Sequence, residues 1–319
     1  MKIVADAYIP FLKGLLDDVA QVEYLAPANI TPQAVQDADA LIIRTRTHCN
    51  QALLSGSKVR FIATATIGFD HIDTAYCAQN GITWTNCPGC NANSVVNYIH
   101  AVLTSLFLAE IQGKTVGIVG VGNVGGRVAQ MAKSLGMNVL LNDPPRAAKE
   151  GAAGFVSLKE IQEKADIITF HVPLTPQTYH MVNQTFLQGC ARTPLIINAA
   201  RGEVCDTNAL LGYAGNIVLD CWENEPTISL PLLEKVAIGT PHIAGYSVDG
   251  KANGTRMAAQ AVCRFFDIEK DIQIAVPGQK GIDYDVMSES NALKAHPHLF
   301  EAFRNNYPIR RDNMVFANV

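Results

Sequence analysis

Three short segments carry residue types that together can take hydrogen from an alcohol. They are Asn198-Ala199-Ala200-Arg201-Gly202-Glu203-Val204-Cys205-Asp206, Asp220-Cys221-Trp222-Glu223-Asn224-Glu225-Pro226 and Thr240-Pro241-His242-Ile243-Ala244-Gly245-Tyr246, and each follows a short apolar run. An arginine in such a place is expensive to bury unpaired, and its planar fork matches a carboxylate at two points. A histidine titrates near neutral pH, so it can accept a hydroxyl proton as a hydride leaves. A glutamate beside it stabilises the protonated ring and fixes its orientation. Each residue also has a plainer reading: Arg201 as a structural ion pair to Glu203 or Asp206, His242 as a satisfied core side chain. Three convergent strand ends favour the chemical one.

Gly120-Val121-Gly122-Asn123-Val124-Gly125 supplies the partner for that chemistry. G-x-G-x-x-G alone is weak, but here the strand-like Val116-Gly117-Ile118-Val119 precedes it and a helical pattern, 124–135, follows. Gly120, Gly122 and Gly125, with Asn123 and Val124 opening the helix, would let backbone N–H groups approach a pyrophosphate at the positive helix end. Asp143 falls about twenty residues on, where a carboxylate binds ribose hydroxyls and repels a 2′-phosphate. NAD is therefore expected over NADP, with Arg146 as the counter-signal.

The elements that position these groups alternate from the first residue. Strands are expected at 2–5, 40–45, 61–66, 115–120, 138–142, 167–171, 195–198, 217–219 and 236–238, and helices at 11–20, 92–110 and 254–267. Near-continuous apolar strands in βαβ order mean parallel sheets covered on both faces. The expected fold is α/β, two doubly wound parallel-sheet lobes with a cleft between them and a short C-terminal extension. The lobes would be 1–94, completed by a crossing helix at about 247–270, and 95–246; the extension is 271–319.

Composition agrees and excludes other classes. The chain has 319 residues, a length of roughly two domains. It is 48% hydrophobic and only 17% charged, which excludes disorder over most of its length. A net charge of −4 leaves no basic footprint for nucleic acid or anionic lipid. The longest apolar stretch, 95–109, is broken by Asn97, His100, Thr104 and Ser105 and falls short of the ~20 residues of a membrane span. Asp6 comes too early for a signal peptide, and the eight cysteines are scattered, so a reduced cytoplasmic setting is expected. Cys87-Pro88-Gly89-Cys90 lacks both a thioredoxin-like context and a second cysteine pair, so neither redox chemistry nor a metal is expected there. His71 and His171 have no ligand spacing to each other, and His296-Pro297-His298 reads as a solvated tail feature rather than a metal site.

From Gly120 to Tyr246 the chain resembles the D-2-hydroxyacid dehydrogenases. Thr64-Ala65-Thr66, Pro88-Gly89-Cys90-Asn91, Asp143-Pro144-Pro145-Arg146 and Gly239-Thr240-Pro241-His242-Ile243-Ala244-Gly245-Tyr246 narrow the likeness to members that act on 4-phospho-D-erythronate. The resemblance implies a flavodoxin-like substrate lobe and a Rossmann lobe for NAD. It makes Arg201 the carboxylate binder and Glu225 the partner of His242, the acid/base. Asp143, Val172, Asp220 and Gly245 fall at cofactor positions, and Thr45, Thr66 and Tyr246 at substrate positions. Arg44 and Arg46 flank Thr45 and are expected to help receive the substrate phosphate. A small phosphorylated hydroxyacid as substrate and a homodimer follow as further implications. Other acids, 3-phosphoglycerate or an unphosphorylated 2-oxo acid, remain open, as does a non-catalytic NAD sensor.

Three departures stand out. Asn97 replaces a usual Glu, Val172 replaces a Thr near the nicotinamide position, and the stretch between Arg201 and Glu225 is several residues shorter. The tail faintly resembles, at 300–312, part of the family's C-terminal dimerisation segment, which the resemblance implies is much shortened here.

Overall fold

The computed structural model describes residues 1–278 and 284–316. The chain forms two compact units, one from Met1–Asn91 with Ser247–Gly278, the other from Ala92–Tyr246 with the described residues after Gly278.

In the first unit, β1 (Lys2–Asp6), β2 (Gln21–Leu25), β3 (Ala40–Ile43), β4 (Phe61–Thr64) and β5 (Thr83–Thr85) form one sheet in the order β2-β1-β3-β4-β5. Every pairing is parallel, and the order is the flavodoxin-like one. Residues alternate between two cores, as a two-residue repeat requires. Ile3, Ala5, Ile42 and Ala63 join Ala258, Ala259 and Val262 of the helix Val248–Phe265. Val4, Leu41, Ile43 and Ile62 face Val35, Leu53, Leu54 and Cys77. A Cβ on Gly254 would lie 2.8 Å from the Ala65 carbonyl oxygen, so glycine lets that helix approach the sheet.

In the second unit, β6 (Thr115–Val119), β7 (Asn138–Asn142), β8 (Ile167–Phe170), β9 (Leu195–Asn198), β10 (Ile217–Leu219) and β11 (Ile238–Gly239) are also all parallel, in the order β11-β10-β9-β8-β6-β7. The order reverses between β6 and β8, and such a switch point opens a crevice at the strand C-termini. Helices Ala92–Phe107 and Asn123–Ser134 cover one face, with Val96, Ile99, Val128 and Met131 against Val116, Ile118 and Ile197. Ile161, Leu210 and Leu232 cover the other.

The C-terminal extension belongs to this unit's core. Tyr284 and Val286 enter one apolar cluster, Leu293 and Phe300 the other. The helix Val286–Ala295 lies along the edge strand β11, where the Ser290 hydroxyl accepts from the Gly239 N–H (2.9 Å). An edge left bare would offer unpaired backbone to another chain.

Several expected elements need correction. The segment 11–20 is a run of turns, not a helix: Phe11 and Gly14 take positive φ (65° and 83°), and the Tyr24 hydroxyl accepts from the Gly14 N–H. Its apolar spacing survives because Leu12 and Leu16 still reach the core. The strands β2 and β5 are additional; both lie at the edges of their sheet, are only partly buried and so lack the apolar run that marks a central strand. The last strand is Ile238–Gly239 rather than 236–238. The helix expected at 254–267 is Val248–Phe265, starting earlier where the Ser247 hydroxyl caps the Gly250 N–H.

Candidate active site

Three loops at the C-terminal ends of β9, β10 and β11 are tied into one cluster. Asn198, which ends β9, accepts from the Asp220 N–H through its carbonyl (3.0 Å), and its side chain fixes the next turn by donating to the Arg201 carbonyl (2.8 Å). A Cβ on Gly202 would lie 2.0 Å from the Trp222 carbonyl, so only glycine lets the Arg201 loop meet the 220–225 loop. The Trp222 indole donates to the Thr240 carbonyl (2.9 Å) and joins the second loop to the third. Asp220, 1% exposed, closes the set. Its carboxylate accepts from the Thr240 hydroxyl (2.7 Å) and from the N–H groups of Ile243 (2.8 Å) and Ala244 (2.9 Å). His242 is thereby held at φ 55°, a left-handed conformation that a histidine adopts only when its surroundings impose it.

Glu225 and His242 meet at this cluster, with the His242 Nδ1 2.8 Å from Glu225 Oε2. The other Glu225 oxygen accepts from the Trp222 N–H (2.8 Å), so the carboxylate is gripped at both ends. Burial opposes a charge on either group. For Glu225 it is outweighed by the His242 bond, which holds the carboxyl below the usual range. For His242 the adjacent Cys221 and Glu225 outweigh it and hold the imidazole well above the ordinary histidine range. The His242 side chain keeps 30% of its surface exposed, so the ring is accessible as well as anchored.

Arg201 is half-buried in the first loop and donates to the Ala200 carbonyl (2.8 Å). Asp206, a suggested structural partner, is used as the cap of the helix Thr207–Gly212. Cys221 was not singled out by sequence; its Sγ, a Glu225 oxygen and a His242 nitrogen lie within 4.8 Å of one another. Glu225 is already committed to Trp222 and His242, so the trio reads as a proton network. A second pair, His180 Nε2 to Glu223 Oε1 (2.6 Å), has a structural task, because the other Glu223 oxygen accepts from the Thr207 N–H.

The glycine loop fits a dinucleotide. Gly120 takes φ 87°, and a Cβ there would lie 2.8 Å from the His171 backbone and 2.9 Å from Val172 Cγ1. A Cβ on Gly125 would fall 2.0 Å from the Gly120 carbonyl oxygen, whereas one on Gly122 would enter open space. That space adjoins the first turn of the helix Asn123–Ser134, whose N-terminus carries no side-chain cap, as a pyrophosphate site requires. Asp143 accepts from the Val121 N–H (2.8 Å) and from the Arg146 N–H (3.0 Å), so it stands against the loop. Arg146 is engaged: its guanidinium donates twice to Glu150 and once to the Val121 carbonyl. The one residue that suggested a 2′-phosphate is thus committed elsewhere. Gly245 and Tyr246 follow in the His242 loop, with the Tyr246 N–H donating to the Ile243 carbonyl.

The substrate residues expected near Thr45 belong to the first unit, beyond β3 and β4. Thr45 and Arg46 are exposed. Arg44 pairs with the buried Asp6 through Nε (2.8 Å) and Nη2 (3.3 Å), so its charge is largely neutralised. Lys251, which sequence reasoning missed, lies in its field; nothing in its helical surroundings marked it. The Thr66 hydroxyl donates to the Gly68 carbonyl (2.9 Å) and sits 2.7 Å from the Thr64 hydroxyl. Cys87 is buried, its thiol donating to the Thr64 and Gly254 carbonyls, and burial pushes it up to about 12 and Cys90 to about 11. All eight cysteines are free thiols.

Residues 99–244 match the family model described as D-isomer specific 2-hydroxyacid dehydrogenase, NAD binding domain. The erythronate-4-phosphate dehydrogenase of Bacteroides fragilis is 52% identical over 100% of this chain and 99% of its own length. That of Bacteroides thetaiotaomicron is 50% identical over 99% and 98%. The crystal structure of D-lactate dehydrogenase from Aquifex aeolicus complexed with NAD and lactic acid superposes with a TM-score of 0.70 at 26% identity, covering 83% of this chain and 95% of its own. The glycine loop, the Glu225–His242 pair and full-length likeness agree: the chain is an NAD-dependent oxidoreductase of the erythronate-4-phosphate dehydrogenase family, within the D-2-hydroxyacid dehydrogenases.

Proposed function

We propose that this chain oxidises 4-phospho-D-erythronate at C2 to the 2-oxo acid, a step in the making of pyridoxal phosphate. The observation that carries the reading is the Glu225–His242 pair, 2.8 Å apart in the same unit as a glycine loop fit for a dinucleotide. NAD, when bound, supplies the acceptor for the hydride that leaves C2. The hydroxyl proton goes to His242 Nε2, the nitrogen not engaged by Glu225. Glu225 holds the ring in one orientation and stabilises the imidazolium that results. Arg201 receives the substrate carboxylate with its fork.

Gly120, Gly122, Asn123, Val124 and Gly125 would hold the pyrophosphate, Asp143 the ribose, and Val172, Asp220 and Gly245 the nicotinamide end. Thr45, Thr66 and Tyr246 are the proposed substrate contacts. For the phosphate, the neutralising Asp6 ranks Arg44 below Arg46, and Lys251 joins them. Eight free thiols fit a reduced cytoplasmic setting, and among the described residues no helix is long and apolar enough to cross a membrane. A homodimer is proposed on the family likeness alone.

The test is nicotinamide absorbance with NAD and 4-phospho-D-erythronate, beside 3-phosphoglycerate and D-lactate. A 2-oxo acid acceptor is included in case reduced cofactor stays bound. Preferential turnover of phosphoerythronate supports the reading. Turnover of another acid keeps the chemistry and discards the substrate. Silence with NAD binding intact overturns the enzyme reading in favour of a sensor.

A further inference from the structure

The C-terminal extension does more than complete the core: its helix Phe300–Asn305 brings a cation to the catalytic pair. Arg304 Nη1 lies 3.9 Å from Glu225 Oε2, the same oxygen that faces His242. The guanidinium is itself aimed, since Nη1 donates to Glu301 one turn earlier (2.9 Å) and the Tyr246 side chain is a further neighbour. Its side chain is only 23% exposed, so solvent screens it weakly.

We propose that Arg304 is a positioning residue for the Glu225–His242 pair, carried to the cluster by the C-terminal extension. It acts through Glu225. A full positive charge beside Oε2 draws electron density that the imidazole would otherwise hold, and it keeps the carboxylate from swinging off Nδ1. The outcome is a histidine that gives up its proton more easily than an isolated Glu–His pair would allow, which suits an enzyme that must start oxidation with a neutral ring. The charged and titratable groups that face the ring are Glu225 at Nδ1, Cys221 beside it and Asp220 beneath the loop; Arg304, Glu301 and Tyr246 act at one remove. Arg304 is the cation among them.

This inference rests on His242 as the acid/base, so the test separates the two. The His242 imidazole is titrated by NMR in the full chain without substrate, its signal assigned by loss in His242→Asn. The variants are Arg304→Gln and Arg304→Lys, with thermal melting to confirm folding. Arg304→Gln is expected to raise the titration midpoint by about one pH unit, the scale of a nearby unit charge in a partly buried site. Arg304→Lys, which keeps the charge, should return most of the shift. In the oxidation assay, kcat of Arg304→Gln near pH 7 should fall about tenfold, the KM for NAD should stay within twofold, and the acid limb should move upward by the same interval. A midpoint unmoved in folded Arg304→Gln, or moved equally by Gln and Lys, overturns the role. A wild type that is inactive while the midpoint still moves overturns the functional reading and leaves the coupling standing.

Discussion

Asn97 is where one substitution should loosen the strap that the last described residues, 312–316, form against the helix Ala92–Phe107. It is 5% exposed in the helix Ala92–Phe107, and three of its four side-chain hydrogen bonds go to the far end of the chain. Its carbonyl accepts from the N–H groups of Asn313 (3.1 Å) and Met314 (3.0 Å), and its amide donates to the carbonyls of Met314 (2.9 Å) and Asn93 (2.6 Å). At about 1 kcal/mol per neutral bond, and somewhat more for buried groups left unpaired, Asn97→Ala should weaken this docking by about 2–4 kcal/mol. Asn93 to the Phe316 N–H, Arg127 to the Phe316 carbonyl and Ser94 to Asp312 remain, so the strap should loosen without release. Native-state hydrogen exchange reads this directly: the amides of 313 and 314 should exchange roughly 30 to 700 times faster, with little change in β6–β9. Asn97→Glu, the residue expected at this position in relatives, accepts the two N–H groups but has no donor for Met314 or Asn93. It should cost more than Ala at neutral pH and less in acid, where the carboxyl regains a proton. Unchanged exchange at 313–314 in Asn97→Ala, or a uniform rise over the whole unit, would refute the strap.

Gly122→Ala should leave the melting temperature unchanged, because its Cβ meets nothing within 4 Å, while raising the KM for NAD at least tenfold; equal damage to both would mean the open space is not the cofactor's. The oxidation rate should rise with pH through a midpoint above ~6.5, since it needs neutral His242 and the folded environment favours the proton; reduction should fall over the same range. Glu225→Gln should lower that midpoint and cut kcat about a hundredfold or more, and a midpoint left in place would remove Glu225 as the source of the shift. Glu289 gives a stability test. Burial, eased by the Tyr307 hydroxyl (2.5 Å), with Asp220 adding to the rise and Arg310 opposing it, pushes its carboxyl up to about 7. The folded state therefore binds this proton more tightly than the unfolded chain does, and stability falls as pH rises from about 4.5 to 7, by about 1–3 kcal/mol. Glu289→Gln should be more stabilising at pH 8 than at pH 4.5 in denaturant melts; equal effects at both would refute the shift.

The parts legible in the sequence share a property: their signal is local. The runs at β1, β3, β4, β6 and β8–β10 announce buried parallel strands, and Gly120 to Gly125 state a turn whose geometry depends on glycine alone. Arg201, Glu225 and His242 could be picked out as candidates because each follows a short apolar run, at β9, β10 and β11. What was not legible depends on distant partners. Asn97 reads as a polar interruption of an apolar helix until residues 313–314 lie against it. Arg304 is one charge in a polar tail, and nothing near it in the chain points to Glu225. The segment 11–20 has helical spacing, yet Phe11 and Gly14 at positive φ make its apolar side chains reach the core through turns. Asp220 has two claims on it: the cofactor contact proposed above, and the engagement of its carboxylate with Thr240, Ile243 and Ala244.

That second task of Asp220 links the edge of the sheet to the chemistry. The carboxylate is buried beneath His242, and burial raises its proton affinity, so three donated hydrogen bonds are needed to keep it useful as an acceptor. The Thr240 hydroxyl, one of those donors, lies 2.8 Å from the buried Tyr98 hydroxyl of the helix Ala92–Phe107. Tyr98 in turn meets the ring of Tyr284 edge to face (5.3 Å), and the Tyr284 hydroxyl donates to the Ile243 and Ala244 carbonyls. Arg310 stacks on Tyr284, 3.4 Å from the ring centroid, and donates to the Tyr246 carbonyl. The left-handed turn that presents His242 is therefore fixed from below by Asp220 and from the side by the extension. A turn strained at one residue keeps its shape only while its surroundings over-determine it. In this chain much of that determination comes from residues 284–310, whose Tyr284 and Tyr307 rings and Arg304 and Arg310 guanidiniums lie around the His242 loop.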